Sequence, residues 1–302
     1  MNRRTSVKLL GLGTAGLLTL PGFSRDDRAM IQRKIPSSGE WLPVVGVGTW
    51  QTFDVESSGY GPLKEVLSIL NQNGGSVIDS SPMYGRSESV VGTLTKNSGS
   101  ADDYFYATKV WTTGKSSGIE QMQQSFHQMR RKTMDLMQIH NLVDWKTHLN
   151  TLKAMKEEGK IRYIGLTHYT DSSHSKLEEI ISKESAIDFI QFNYSLESRN
   201  AEKRLLNAAR DKGVAVIINR PYEGGSVFGR VRGKSLPDWA EEHGINSWGQ
   251  FFLKYILSHP SVNCVIPGTD KPHHMLDNVK AGFGTLPDAS FRKQMVEYYG
   301  KL

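Results

Sequence analysis

Cysteine is nearly absent: Cys264 is the only one in 302 residues. No intramolecular disulfide can form, and the run "SVNCVIP" around it reads as a buried, inert thiol. Long apolar runs are missing too. The mildly apolar stretch 9–20 has about twelve residues, too few to cross a bilayer as a helix. The nine histidines fall at no recognised metal-ligand spacing, so no metal is expected. Half of the formal net charge of +6 lies in residues 1–28, where Arg3, Arg4, Lys8, Arg25 and Arg28 outweigh Asp26 and Asp27. No long basic run remains beyond them, which argues against a nucleic-acid partner. After residue 28 no low-complexity linker divides the chain, so 29–302 is expected to form one domain.

What the chain does have begins with "MNRRTSVKLLGLGTAGLLTLPGFS". Paired arginines before a short glycine-bearing apolar stretch look like a twin-arginine export signal, although Ser6 stands where such signals usually carry an aromatic. Gly22-Phe23-Ser24 is small-x-small, which would allow cleavage after Ser24. The expectation is a periplasmic protein that uses the export machinery, membrane-associated if the segment is retained. Gly11 to Gly16 also matches G-x-G-x-x-G, but a basic stretch precedes it and Pro21 follows. A dinucleotide fingerprint needs a strand before and a helix after.

From residue 29 onward, short β-branched runs alternate with amphipathic helical stretches. A hairpin opens the series, "MIQRKI" and "EWLPVV" around Pro36 to Gly39. Eight strands are predicted at 45–48, 76–79, 104–108, 136–140, 163–166, 189–192, 214–218 and 264–266. Helices are predicted at 62–73, 88–96, 119–131, 146–158, 173–182, 201–212, 247–258 and 271–280. In the first of these, Leu63, Val66, Leu67 and Leu70 mark one face, and Gly213 supplies a helix stop after 201–212. Strict alternation predicts parallel strands, and eight units in this length match an α/β fold, a (β/α)8 TIM barrel preceded by a short β-hairpin. Such a barrel carries its site at the C-terminal ends of its strands.

Four residues stand at such ends: Asp79 closing "SVID", Tyr84 in the loop "SSPMYG" after it, Lys109 just past "YFYAT", and His140 closing "LMQIH". Each alone has a plain structural reading: a turn cap, a loop aromatic, a solvated charge, a core histidine. Together a phenol, an ammonium, a carboxylate and an imidazole can deliver a proton to a carbonyl oxygen. The hydride of a carbonyl reduction would have to come from a cofactor.

In these residues the chain resembles the aldo/keto reductase family. The motifs, in family order, are "GVGTW", Asp79 with the following "SSPMYGRSESVVG", "TKVW", "QIHN", "GKIRYIGLTHY", "FIQFNYS" and "IPGTDKPHHMLDN". The resemblance implies NAD(P)H-dependent reduction of an aldehyde or ketone. Tyr84 would be the proton donor, Lys109 would lower its pKa, Asp79 would hold Lys109, and His140 would orient the substrate oxygen. It implies NADP, with NAD as the alternative, lying across the strand ends. Gln191, Thr167 and His168 match positions that bind the nicotinamide amide, with His168 replacing the usual Asn. Asn219 stands where the family often places a stacking aromatic, and Arg220 or Tyr222 would take over. Gly225 and Ser226 would approach the pyrophosphate. Gly268, Thr269 and His274, with Lys271, would face the adenosine phosphate, and Asp277 and Asn278 the adenine. Trp50, Phe53 and Trp111 follow strands and would wall an apolar pocket for a small carbonyl substrate. Two other readings compete: a barrel that binds the cofactor without turnover, and a lyase forming a Schiff base on Lys109. Oligomeric state is left open.

Overall fold

The computed structural model describes residues 29–302. The expected export signal, the expected cleavage after Ser24 and the glycine motif at 11–16 lie outside the described residues.

A two-stranded hairpin, β1 (Gln32–Lys34) and β2 (Trp41–Pro43), precedes the barrel. Eight parallel strands then follow in chain order: β3 (Val47–Gly48), β4 (Val77–Asp79), β5 (Phe105–Val110), β6 (Met134–His140), β7 (Ile161–Thr167), β8 (Phe189–Asn193), β9 (Ala215–Asn219) and β10 (Cys264–Val265). Parallel bridges from Val45 to Val265 and from Gly48 to Gly268 close the ring between its first and last strands. Each strand leads to a helix on the outer surface, in the sequence α1 (Tyr60–Gln72), α2 (Ser87–Ser98), α3 (Lys115–Gln128), α4 (Trp145–Glu157), α5 (His174–Lys183), α6 (Leu205–Asp211), α7 (Ser226–Arg230), α8 (Trp248–Leu257), α9 (Pro272–Lys280) and α10 (Ala289–Gly300). Of α1, Leu63, Val66, Leu67 and Leu70 are the buried positions, so its apolar stripe faces the sheet. After α6 the chain turns at Gly213, whose φ of +66° is the left-handed conformation a glycine adopts at low cost.

Three expectations shift. The predicted helix 201–212 splits into a 3-10 turn, Asn200–Lys203, and the shorter α6. Two helices, α7 and α10, were not foreseen. Strand β5 runs two residues further than the pattern suggested. Lys109 therefore lies within it, paired with Gln138 of β6, rather than beyond its end.

Alternation along the strands divides the barrel interior into two parts. At the floor, Phe105, Leu136, Tyr163, Phe189 and Ala215 pack with Ile35 and Leu42 of the hairpin. The Tyr163 hydroxyl donates to Glu40 Oε2 at 2.6 Å and accepts from Ser38 Oγ at 2.7 Å, and so ties the hairpin to the barrel. Above this apolar floor the inward positions become polar.

Candidate active site

Asp79 ends β4 facing inward, and three donors converge on its carboxylate. Lys109 Nζ donates to Oδ2 at 2.6 Å, while Gln138 Nε2 and Gln191 Nε2 both donate to Oδ1 at 2.8 Å. Lys109 Nζ also donates to the Ser80 carbonyl at 2.6 Å. The lysine is fully buried. Burial works against its charge, but the Asp79 carboxylate and Tyr84 outweigh it and hold the ammonium above its ordinary pKa.

Tyr84 comes from the loop between β4 and α2, and its ring centroid is 5.0 Å from Lys109 Nζ. Burial raises its pKa more than the neighbouring ammonium lowers it, so the phenol remains protonated at neutral pH. His140, at the end of β6, meets the Tyr84 ring edge-on with centroids 5.8 Å apart. Burial and the Lys109 charge press its pKa down to about 3, which leaves a neutral imidazole. Ser81 Oγ lies 3.0 Å from His140 Nδ1. A hydroxyl that donates there puts the ring proton on Nε2, at the barrel mouth. The four residues expected to act on protons are thus gathered at the C-terminal end of the barrel.

Ser81 and Gln138 were not singled out from the sequence. Gln138 lies two positions before His140, so the strand period puts both inward. An inward glutamine in a barrel strand was the available signal. Room for it comes from Gly165 on β7, where a Cβ would stand 2.8 Å from Gln138 Cγ.

The expected cofactor positions have mixed surroundings. Gln191 is saturated inside the protein: beyond Asp79, its Nε2 donates to Gln138 Oε1 at 3.1 Å, and its Oε1 accepts from Thr167 Oγ1 at 3.1 Å and Asn219 Nδ2 at 3.3 Å. His168 Nδ1 accepts from the Tyr169 amide at 2.9 Å, and its ring stacks on Tyr169. The Arg220 guanidinium carbon lies 5.8 Å from that Tyr169 ring. The Tyr222 hydroxyl donates to Asn278 Oδ1 at 2.7 Å, and its ring packs on Phe228 with centroids 4.9 Å apart. Gly225 and Ser226 are exposed where α7 begins. Gly268 sits at the barrel closure, and Thr269 Oγ1 accepts from the Lys271 amide at 3.1 Å. His274 is exposed beside His273. Both Asp277 oxygens are engaged, by Ser247 Oγ and Gln250 Nε2 at 2.6 Å each.

Of the expected pocket aromatics, Trp50 and Trp111 are exposed, and the Trp111 ring lies 6.3 Å from that of His140. Phe53 does not join them. Its loop folds back, with Phe53 N donating to the Thr49 carbonyl at 3.1 Å, and its ring is fully buried in the core. Burial of that apolar area outweighs exposure at the rim. Among the described residues, no three His, Cys, Asp or Glu side chains are grouped to hold a metal ion.

Residues 44–295 match the sequence profile of the "Aldo/keto reductase family". The chain belongs to that family. Among curated relatives, the aldo-keto reductase str7 of Strobilurus tenacellus is 27% identical over 258 residues, spanning 72% of this chain and 75% of the relative. An uncharacterized oxidoreductase of Schizosaccharomyces pombe, C215.11c, is 31% identical over 171 residues, and the match spans about half of each chain, 55% and 53%. The fold is shared with an aldo-keto reductase from Klebsiella pneumoniae solved in complex with NADPH, at a TM-score of 0.76 and 21% identity, covering 89% of this chain and 96% of that one. The eight-stranded parallel barrel is thus the fold of this aldo/keto reductase as it is of its solved neighbours.

Three polar atoms around this mouth are buried without a partner: Asn141 Oδ1 just past β6, Asn219 Oδ1 at the end of β9, and Arg220 Nε after it. Buried polar groups are ordinarily paired, so a cluster of orphans at the strand ends fits a polar ligand laid across them. The adjoining loops carry strain of the same kind. Asn141, Leu142, Asp144, Arg220 and Glu223 all have φ between +44° and +58°, a conformation that persists in L-residues where the surroundings enforce it.

Proposed function

We propose that this protein reduces the carbonyl of an aldehyde or ketone to an alcohol, with the proton supplied by Tyr84. The observation that carries the reading is the buried Asp79–Lys109 pair set against the Tyr84 ring, with neutral His140 packed edge-on to that ring. A reduced nicotinamide, when bound, supplies the hydride. Tyr84 arrives protonated and donates from its hydroxyl to the substrate oxygen. The fixed Lys109 charge then stabilises the phenolate that is left behind. His140 Nε2 donates a hydrogen bond to the same oxygen without adding a second positive charge to the pocket. Asp79 keeps Lys109 charged and in place, and Gln138 and Gln191 keep Asp79 in place.

Trp50 and Trp111 would flank the bulk of the substrate, which favours carbonyl compounds with an apolar substituent. NADP is the proposed cofactor, with NAD as the alternative. Exposed Lys271 at the adenosine end favours a phosphate there, and the Klebsiella relative was solved with NADPH. Residues 1–28 are proposed to act as a twin-arginine signal that exports the folded, cofactor-loaded protein to the periplasm. Deleting residues 2–24 should then retain it in the cytoplasmic fraction, and unchanged fractionation would refute export.

The central test is Tyr84→Phe, read by NADPH oxidation against a panel of aldehydes and ketones and by cofactor titration. Turnover should fall by about 10²–10⁴-fold while cofactor affinity stays within twofold. Undiminished turnover would remove Tyr84 from its role.

A further inference from the structure

Asn219 is the residue where this chain departs most from the pattern expected at the barrel mouth, and its hydrogen bonding is lopsided. Its amide donates at both ends, to the His168 carbonyl at 3.0 Å and to Gln191 Oε1 at 3.3 Å. Those two bonds use both N–H groups and fix which way the side chain faces. Its Oδ1 is buried with no partner. Gln191, expected from the sequence to hold the nicotinamide amide, has two donors and two acceptor sites, and all four are consumed within the barrel. The side chain expected to recognise the amide is therefore occupied. Its neighbour offers a pre-oriented acceptor that lacks only a donor.

We propose that Asn219 recognises the nicotinamide ring of the cofactor by accepting a hydrogen bond from its carboxamide N–H, replacing ring stacking at this position with amide recognition. Gln191 becomes a positioning residue that aims Asn219. This inference rests on the nicotinamide reading above. A buried acceptor left unpaired is costly, and an incoming N–H relieves that cost only when the cofactor is bound, so the gain appears as affinity. The preference should be chemical rather than steric: a ring carrying an acetyl group keeps the carbonyl and the shape but has no N–H to give.

The experiment compares the dissociation constants of oxidised NADP and its 3-acetylpyridine analogue, measured by quenching of tryptophan fluorescence, for the wild-type protein and Asn219→Ala. Wild-type protein should bind NADP about tenfold more tightly than the analogue, the worth of one hydrogen bond at a buried acceptor. In Asn219→Ala the ratio should fall below twofold. A merely structural role for Asn219 would weaken both ligands alike and leave the ratio unmoved, which overturns the proposal. If the variant does not fold, the wild-type ratio still decides: equal affinity for the two ligands overturns the proposal. Wild-type protein that binds neither NADP nor NAD would overturn the nicotinamide reading itself, and this inference with it.

Discussion

The buried pair at the centre of the site can be taken apart by a double-mutant cycle of Asp79→Asn and Lys109→Met. Both side chains are almost wholly enclosed, with 3% and 0% of their surface exposed, and their charged atoms are 2.6 Å apart. Removing Lys109 alone leaves a buried carboxylate with only the two glutamine donors, and such a loss costs about 3–5 kcal/mol. Removing Asp79 alone leaves a buried ammonium in similar difficulty. The double variant leaves neither charge, so its cost should be well below the sum of the two, with a coupling energy of at least about 2 kcal/mol in denaturant unfolding. Catalysis adds a second reading of the same cycle. A unit charge 5.0 Å from the Tyr84 ring is worth about 3 kcal/mol at an effective dielectric of about 20. Lys109→Met should therefore lower kcat by on the order of 10²-fold. Because the single variant also leaves the opposing Asp79 charge beside the forming phenolate, the double variant should be faster than Lys109→Met alone. Stability effects that add to within about 0.5 kcal/mol, or a double variant slower than the lysine variant, would refute the account of Lys109 as an electrostatic partner of Tyr84.

Three further outcomes follow from particular contacts. Ser81→Ala removes the partner of His140 Nδ1, so kcat should fall about fivefold or more while cofactor affinity is unchanged; equal kcat would show that the hydroxyl does not set the tautomer. Because the folded His140 has a pKa of about 3, below the ordinary 6.5, its contribution to stability is complete above pH 6.5 and is lost as pH falls toward 3. Between pH 7 and pH 5 the wild-type protein should lose about 2 kcal/mol more than His140→Gln in urea unfolding, and parallel losses would contradict a buried neutral imidazole. Gly165→Ala places a Cβ 2.8 Å from Gln138 Cγ and should cost about 1–3 kcal/mol in the wild-type protein; introduced into a Gln138→Ala background the same change should cost far less if this contact is the obstacle, which thermal unfolding would read.

The barrel was legible because its strands are β-branched runs separated by helices with one apolar face, as in α1, and because parallel order follows from the alternation itself. Asp79 and His140 were legible as strand ends, since a polar residue closing an apolar run marks the barrel mouth. The misses have physical causes. Helix α10 carries aromatic and charged residues around most of its surface, and only Phe291, Met295 and Tyr299 are buried. Its identity as a helix rests on the Asp288 cap, whose carboxylate accepts from Phe291 N, and on a clamp in which Arg292 donates to Glu202 Oε1 and the Tyr194 hydroxyl. Those partners are 90 or more positions away in sequence. Phe53 follows a strand as Trp50 does, and nothing local separates a rim aromatic from one folded back into the core. The occupancy of Gln191 and of Asp277 depends on side chains from other elements, which spacing does not reveal.

The arrangement of polar groups inside the barrel bears on whether the four central residues form a functional site or are four unrelated structural details. An isolated buried ion pair roughly breaks even against apolar packing. Here the Asp79 carboxylate also receives Gln138 and Gln191, and Gln191 in turn is held by Thr167 and Asn219. Strands β4 through β9 each place an inward polar residue in this connected set, among them Lys109, Gln138 and Asn219, while the floor beneath stays apolar. A solvated lysine or a satisfied core histidine requires no such layer. Scattered structural polar groups would also be expected at both ends of the barrel, and each would find its own partners. Instead the network is continuous, it lies at the end where the strands deliver their loops, and it reaches the unpaired Asn219 Oδ1 on β9, while at Lys109 it meets the protonated phenol of Tyr84, against which the neutral imidazole of His140 packs. A connected network whose unpaired acceptor lies where it reaches the mouth is organised around something that enters there.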